Sequence, residues 1–128
     1  MLPVGSVFPY DFGYVPGTRA EDGDPVDVLL WLDEPVFTGA VVRARLIGVL
    51  EAEQTEDGKT ERNDRLLAVA CDSRDHEHMR TEKEIDEHVR QEIEHFFVSY
   101  HKLTKKTFTV LGYRGPAAAK RMLKKTML

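Results

Sequence analysis

The order of apolar patterns predicts an α+β chain built on a small, largely antiparallel sheet or barrel. Three observations carry this. Short strand-like runs crowd the first 70 residues, a single long amphipathic helical pattern follows, and a last strand precedes a short basic helix. Strands that cluster instead of alternating with helices disfavour a parallel βαβ architecture.

The elements follow in order. Residues 3–19 are dense in Gly, Pro and aromatic side chains, which predicts irregular chain with one short strand. Residues 20–27 form an acidic turn, and Val26 to Leu32 reads as a buried strand that Asp33-Glu34-Pro35 ends. After Gly39, residues 40–50 alternate. Arg43 and Arg45 fall on one face and Val42, Ala44 and Leu46 on the other, so a half-buried strand is expected. Residues 51–65 are mostly polar, and Asp57-Gly58 at their centre is a strong hairpin signal. Leu66 to Ala70 is the returning strand. Thr81 and Glu84 have capping-box spacing, and Ile85, Val89, Ile93, Phe96, Phe97, Tyr100 and Leu103 then recur at helical intervals. Thr107 to Tyr113 alternates as a strand. Gly115-Pro116 breaks the chain, and Ala117 to Met127 forms the last helix.

Composition narrows the function. The 128 residues are 41% hydrophobic and 31% charged, which fits one globular domain over residues 1–128 and not a disordered chain. Eighteen Lys and Arg against 22 Asp and Glu leave a net charge of −4. A general nucleic-acid-binding face is therefore not expected. No apolar run is long enough to span a bilayer, and the opening residues lack the pattern of a signal peptide, so no membrane partner is expected. Cys71 stands alone, which fits a reducing compartment, the cytoplasm.

The densest acidic cluster is Glu21-Asp22-Gly23-Asp24-Pro25-Val26-Asp27, four carboxylates in seven residues. Like charges this close repel unless a cation or strong donors compensate. Short hard-oxygen side chains suit Mg²⁺, which keeps several waters and bridges to phosphate. An acidic, solvated turn is the plainer alternative.

The wider wording is more specific. Phe8-Pro9-Tyr10-Asp11-Phe12-Gly13-Tyr14-Val15-Pro16-Gly17-Thr18, followed by the acidic turn and Val28-Leu29, resembles the soluble family I inorganic pyrophosphatases. Their signature is Asp-x-Asp-Pro-x-Asp before apolar residues. The resemblance continues through residues 39–50, residues 62–69 and Glu94-His95-Phe96-Phe97-Val98-Ser99-Tyr100, essentially the whole chain. It implies an OB-like β-barrel, closed or partly open, with the long helix and the C-terminal helix packed on it. It also implies Mg²⁺-dependent hydrolysis of pyrophosphate to two phosphates by a metal-activated water.

Carried over residue by residue, the resemblance makes Asp22 and Asp27 metal ligands and Asp24 the general base. The family's Asp-x-Lys element becomes Asn63-Asp64-Arg65. Arg65 takes the place of the phosphate-binding Lys, and Asn63 falls at a metal-binding Asp. Asp64, one residue later, lies on the opposite strand face unless the strand shifts locally. A further family metal-binding Asp falls near Gln54, where Glu53 or Glu56 could compensate. The substrate-binding Tyr-Lys pair becomes Tyr100-His101, with Lys102 next, and a substrate-side Tyr becomes Phe12. Family members also carry an additional N-terminal segment of strands that supplies a Lys, an Arg and glutamates to the active site. Its absence here implies an opened barrel that buries its edge as a homo-oligomer. A second reading is a divergent, catalytically impaired relative acting as a metal-binding or assembly module, carried by Gln54, Asn63, Phe12 and His101.

Other features read as structural. His76-Glu77-His78 reads as a solvated loop and His95 as a packed histidine. Arg43 and Arg45 read as solvated or ion-paired, and the basic last helix as an aid to solubility. The acidic turn argues against a base-stacking role for the aromatics at 8–14.

Overall fold

A computed structural model describes residues 10–21, 23–34, 36 and 39–128. The strands are β1 (Tyr10–Val15), β2 (Val26–Trp31), β3 (Ala44–Glu56), β4 (Lys59–Arg62), β5 (Arg65–Ala70) and β6 (Thr107–Arg114). The helices are α1 (Glu87–Leu103) and α2 (Pro116–Thr126), with a single 3₁₀ turn at Glu82–Glu84.

All six strands belong to one sheet. β1 pairs with β2, and β3 pairs with β4, β5 and β6, all antiparallel. The β2–β5 pair is parallel, so the sheet is mixed and not purely antiparallel. β3 is the long spine. Its first half pairs with β5 and its last four residues with β4 on the same edge, while β6 takes the other edge. Among the described residues β1 and β6 each have a strand partner on one side only, so the sheet does not close.

Each face of the sheet carries one helix. The larger core joins Leu29, Trp31, Leu67 and Val69 to Ile93 and Phe97 of α1 and to Phe108 of β6. The smaller joins Val26 and Leu66 to Ala119 of α2, with Met122 and Leu123 packed against it. Alternation along β2 and β5 therefore assigns Asp27 and Arg65 to the α1 face.

Local chemistry explains most boundaries. Asp57 and Gly58 have φ of 52° and 77°, the two positive values that a type I′ hairpin requires. Asp86 caps α1, its side chain accepting from the His88 N–H at 2.8 Å. The Thr81/Glu84 pair caps the 3₁₀ turn instead of α1: Glu84 Oε1 accepts from the Thr81 N–H at 3.1 Å, and the backbone turns extended at Ile85. α2 opens with Gly115 as cap and Pro116 in its first turn.

Candidate active site

The site is built on the ends of β2 and β5. Their parallel register sets Val28 beside Leu66, which brings the preceding Asp27 and Arg65 abreast. Arg65 Nη1 donates to Asp27 Oδ2 at 2.8 Å. The Arg65 side chain is only 13% exposed, whereas that of Asp27 is 43% exposed. The guanidinium lies 4.3 Å from the centroid of the Phe97 ring, a cation–π contact on the helix face. Arg65 is thus a fixed cation with an apolar floor, and Asp27 is a carboxylate that reaches water.

The turn ahead of β2 is held from both sides. Thr18 is buried. Its hydroxyl donates to the Val15 carbonyl at 2.6 Å and accepts from the Val26 N–H at 3.0 Å. This bridges the end of β1 to the start of β2. The C-terminal tail adds Arg19 N–H to Thr126 O and Leu128 N–H to Gly17 O, both at 2.9 Å. Within the turn, the Ala20 N–H bonds Asp24 O and the Gly23 N–H bonds Ala20 O, with Gly23 at φ 90°. Asp24 is exposed on this ordered turn, three residues before Asp27. Asp22 lies outside the described residues.

Aromatic rings line the other side. Phe12 of β1 stacks on Phe96 at 5.3 Å and meets the edge of Phe97 at 5.9 Å. Tyr100 continues the stack, 6.1 Å from Phe96 and largely exposed. Lys102 is exposed near the end of α1. Asp27, Arg65, Phe12 and Tyr100 therefore form a continuous run of contacts through Phe96 and Phe97.

Three expected residues sit differently. His101 is 5% exposed, stacked 4.6 Å from Phe108. Its Nδ1 lies 2.8 Å from the Phe97 carbonyl. A carbonyl only accepts, so Nδ1 carries the proton and Nε2 of the neutral ring is an acceptor. Burial holds the imidazole below the ordinary histidine range. The Phe97 carbonyl opposes this shift, and the Arg65 and Lys106 charges add to it. The neutral ring therefore cannot donate from Nε2 to a phosphate, as a substrate-binding cation would.

Asp64 is the second. It bonds Arg62 through both oxygens, Nη2 to Oδ2 at 2.9 Å, and its Oδ1 also accepts from the Ala52 N–H at 3.0 Å. Arg62 in turn holds Glu51 at 2.8 Å. No local shift brings Asp64 to the side of Arg65: the period-two alternation of the strand holds, and its carboxylate is committed elsewhere. Asn63 is the third. It is 8% exposed, and its Nδ2 donates to Gln54 Oε1 at 3.0 Å. Among the described residues no three His, Cys, Asp or Glu side chains converge to hold a metal ion. Asp24 and Asp27 carry carboxylate oxygens at the acidic turn and the start of β2.

A family model described as inorganic pyrophosphatase matches residues 1–128. The chain belongs to the inorganic pyrophosphatase family. It is 40% identical to the inorganic pyrophosphatase of Nostoc sp. over 107 residues, 84% of this chain and 61% of that one. It is 31% identical to that of Picrophilus torridus over 121 residues, 94% of this chain and 66% of that one. The chain thus spans less than two thirds of the length of these relatives. The crystal structure of the Thermus thermophilus inorganic pyrophosphatase superposes with a TM-score of 0.83 at 32% identity, covering 98% of this chain and 71% of that one. The OB-like fold with a long helix and a C-terminal helix is that of the family.

Most remaining sequence features resolve as structure, but His95, expected to be packed, is exposed on α1. Arg45 donates to the carbonyls of His76, Glu77 and Met79, all near 3.0 Å, so it organises the loop that carries His76 and His78. Asp33 accepts from Ser73 and from the Arg74 and Asp75 N–H groups of the same loop. Periodicity identified Phe97 only as core, yet it is also the floor under Arg65. Thr18 closes the quoted aromatic motif, and a hydroxyl after Pro-Gly is a recognised turn device.

Proposed function

We propose that the chain hydrolyses inorganic pyrophosphate to two phosphates, with Mg²⁺ at the acidic turn. The carrying observation is the Asp27–Arg65 pair. It sets a water-accessible carboxylate 2.8 Å from a fixed guanidinium, at the rim of an acidic turn, in a chain of this family. The donor set fits the ion in kind: Mg²⁺ takes one or two carboxylates and fills its remaining positions with water and phosphate oxygen. Asp22 and Asp27 would hold it. When bound, Mg²⁺ lowers the pKa of water and neutralises phosphate charge.

The chain's own residues supply the rest. Arg65 offers its planar donors to a phosphate, fixed in position by Phe97 beneath it. Asp24, exposed on the turn, accepts the proton from the attacking water. Tyr100 and Lys102, at the end of α1, donate to the outer phosphate oxygens. Phe12 walls the site without donating. The exposed, free Cys71 supports a cytoplasmic setting. Among the described residues β1 is paired on one side only, which supports self-association.

The test is phosphate release from Mg²⁺ and pyrophosphate. Asp24→Asn should lose at least about 10²-fold in kcat, the usual scale of general-base catalysis, with an unchanged circular dichroism spectrum. Wild-type turnover in that variant would overturn Asp24 as the base. Absence of release by the wild-type chain would overturn the activity.

A further inference from the structure

The corner where β3, β4 and β5 meet satisfies itself. The Asn63 N–H donates to the Ala52 carbonyl at 2.8 Å, and the Asn63 amide donates to Gln54 at 3.0 Å. Gln54 lies opposite Glu61 of β4 and Phe108 of β6 in the sheet register, so this bond joins the turn into β5 to the last part of the β3 spine. Asp64, the neighbouring carboxylate, is bound by Arg62 and by the Ala52 N–H, and Glu51 shares the same arginine. A hard divalent cation is drawn by anionic oxygens with capacity to spare. Here the two side chains facing each other are neutral amides already bonded to one another, and the nearby charges are matched by a guanidinium.

We infer that Asn63 and Gln54 form a metal-independent clasp, and that divalent cations bind this chain at the acidic turn and not at the β3–β5 corner. The second clause rests on the function proposed above; the first does not. Two carboxylates placed at this separation would repel and need a cation between them. The amide pair holds the same two strands together with no ion. The corner therefore adds no cation to the site, and it contributes stability whatever the metal concentration.

The experiment uses the full chain and Mn²⁺, a hard cation countable by electron paramagnetic resonance. Thermal melts are run in Mn²⁺ and in EDTA. Asn63→Ala and Gln54→Leu should leave the number of bound Mn²⁺ ions and their affinity unchanged. Each should lower the melting temperature by the same amount with and without metal. Asp27→Asn should weaken Mn²⁺ binding at least about tenfold. Loss of an ion in Asn63→Ala or Gln54→Leu, or a melting penalty that vanishes in EDTA, would overturn the clasp. Gln54→Leu keeps the test open if Asn63→Ala fails to fold, because Gln54 is the less buried partner. Full Mn²⁺ affinity in Asp27→Asn would instead overturn the acidic-turn reading and leave the clasp standing, so the two failures are distinguishable.

Discussion

His101 shows what a single side chain gains and loses by its surroundings. Its place on the inner face of α1 is legible from the spacing that also yields Phe97. Its burial against Phe108 is not, because that follows from where Phe108 and Arg65 arrive from other strands. Folded, the ring is held below its ordinary pKa chiefly by burial, with Arg65 and Lys106 adding to the effect against the Phe97 carbonyl. Unfolded, it titrates near the usual value of about 6.5. The unfolded chain thus binds the proton more readily, and the stabilisation from a neutral His101 is fully present above that pH and fades as pH falls below it. Urea denaturation between neutral and mildly acidic pH should show stability declining over this window. The decline should be shallower in His101→Gln, which keeps polar character but does not titrate. Equal slopes for the two proteins would refute this account. Arg65 is a second case at this scale. Its position was readable from the Asn63-Asp64-Arg65 wording, whereas its ring floor was not. Lysine has no planar group to lay on Phe97 and would present a looser point charge to phosphate.

At the scale of elements, sequence patterning located almost every strand and helix but missed how β3 works. Period-two alternation marks residues 40–50, yet the strand runs from Ala44 to Glu56, and its register with β5 shifts between Leu46 and Gly48. The bulge breaks the alternation, so Ile47 and Leu50 share one core although three residues apart. β4 escaped notice because Lys59-Thr60-Glu61-Arg62 carries no apolar residue; only its hairpin partner holds it. The parallel β2–β5 pairing, which sets Asp27 beside Arg65, has no local signature at all. Gly48 is the tightest point of this arrangement. A Cβ there would stand 2.5 Å from the Arg114 carbonyl and 2.9 Å from Glu82 Cβ. Glu82 is itself buried, and its main-chain carbonyl accepts from Arg90 of α1, so the 3₁₀ turn has little room to retreat. Gly48→Ala should cost about 1–3 kcal/mol, the usual penalty for overfilling a packed site. A lowered urea midpoint at constant m-value would show it. A midpoint equal to wild type would mean that β6 and the turn yield more easily than their contacts indicate.

For the whole molecule, the net charge of −4 and the open sheet pull in opposite directions. Negative charge keeps copies apart at low ionic strength. The sheet, on the other hand, presents β1 as a strand paired only to β2 among the described residues, with Phe12 45% and Tyr14 63% exposed on it. An edge of this kind, with Asp11 as its single charge, is a template for another strand. The second edge strand, β6, carries the half-exposed Leu111, so both rims of the sheet offer apolar surface. Burial of this edge between copies is expected to outweigh the diffuse charge once salt screens the latter. Sedimentation at micromolar concentration and physiological salt should give a species heavier than one chain, and association should strengthen as salt is raised. Tyr14→Lys, which places a cation on the edge strand directly opposite Asp27, should shift the distribution towards the monomer. A wild-type chain that sediments as a single monomeric species at every salt concentration would show that the β1 edge is not an interface between copies.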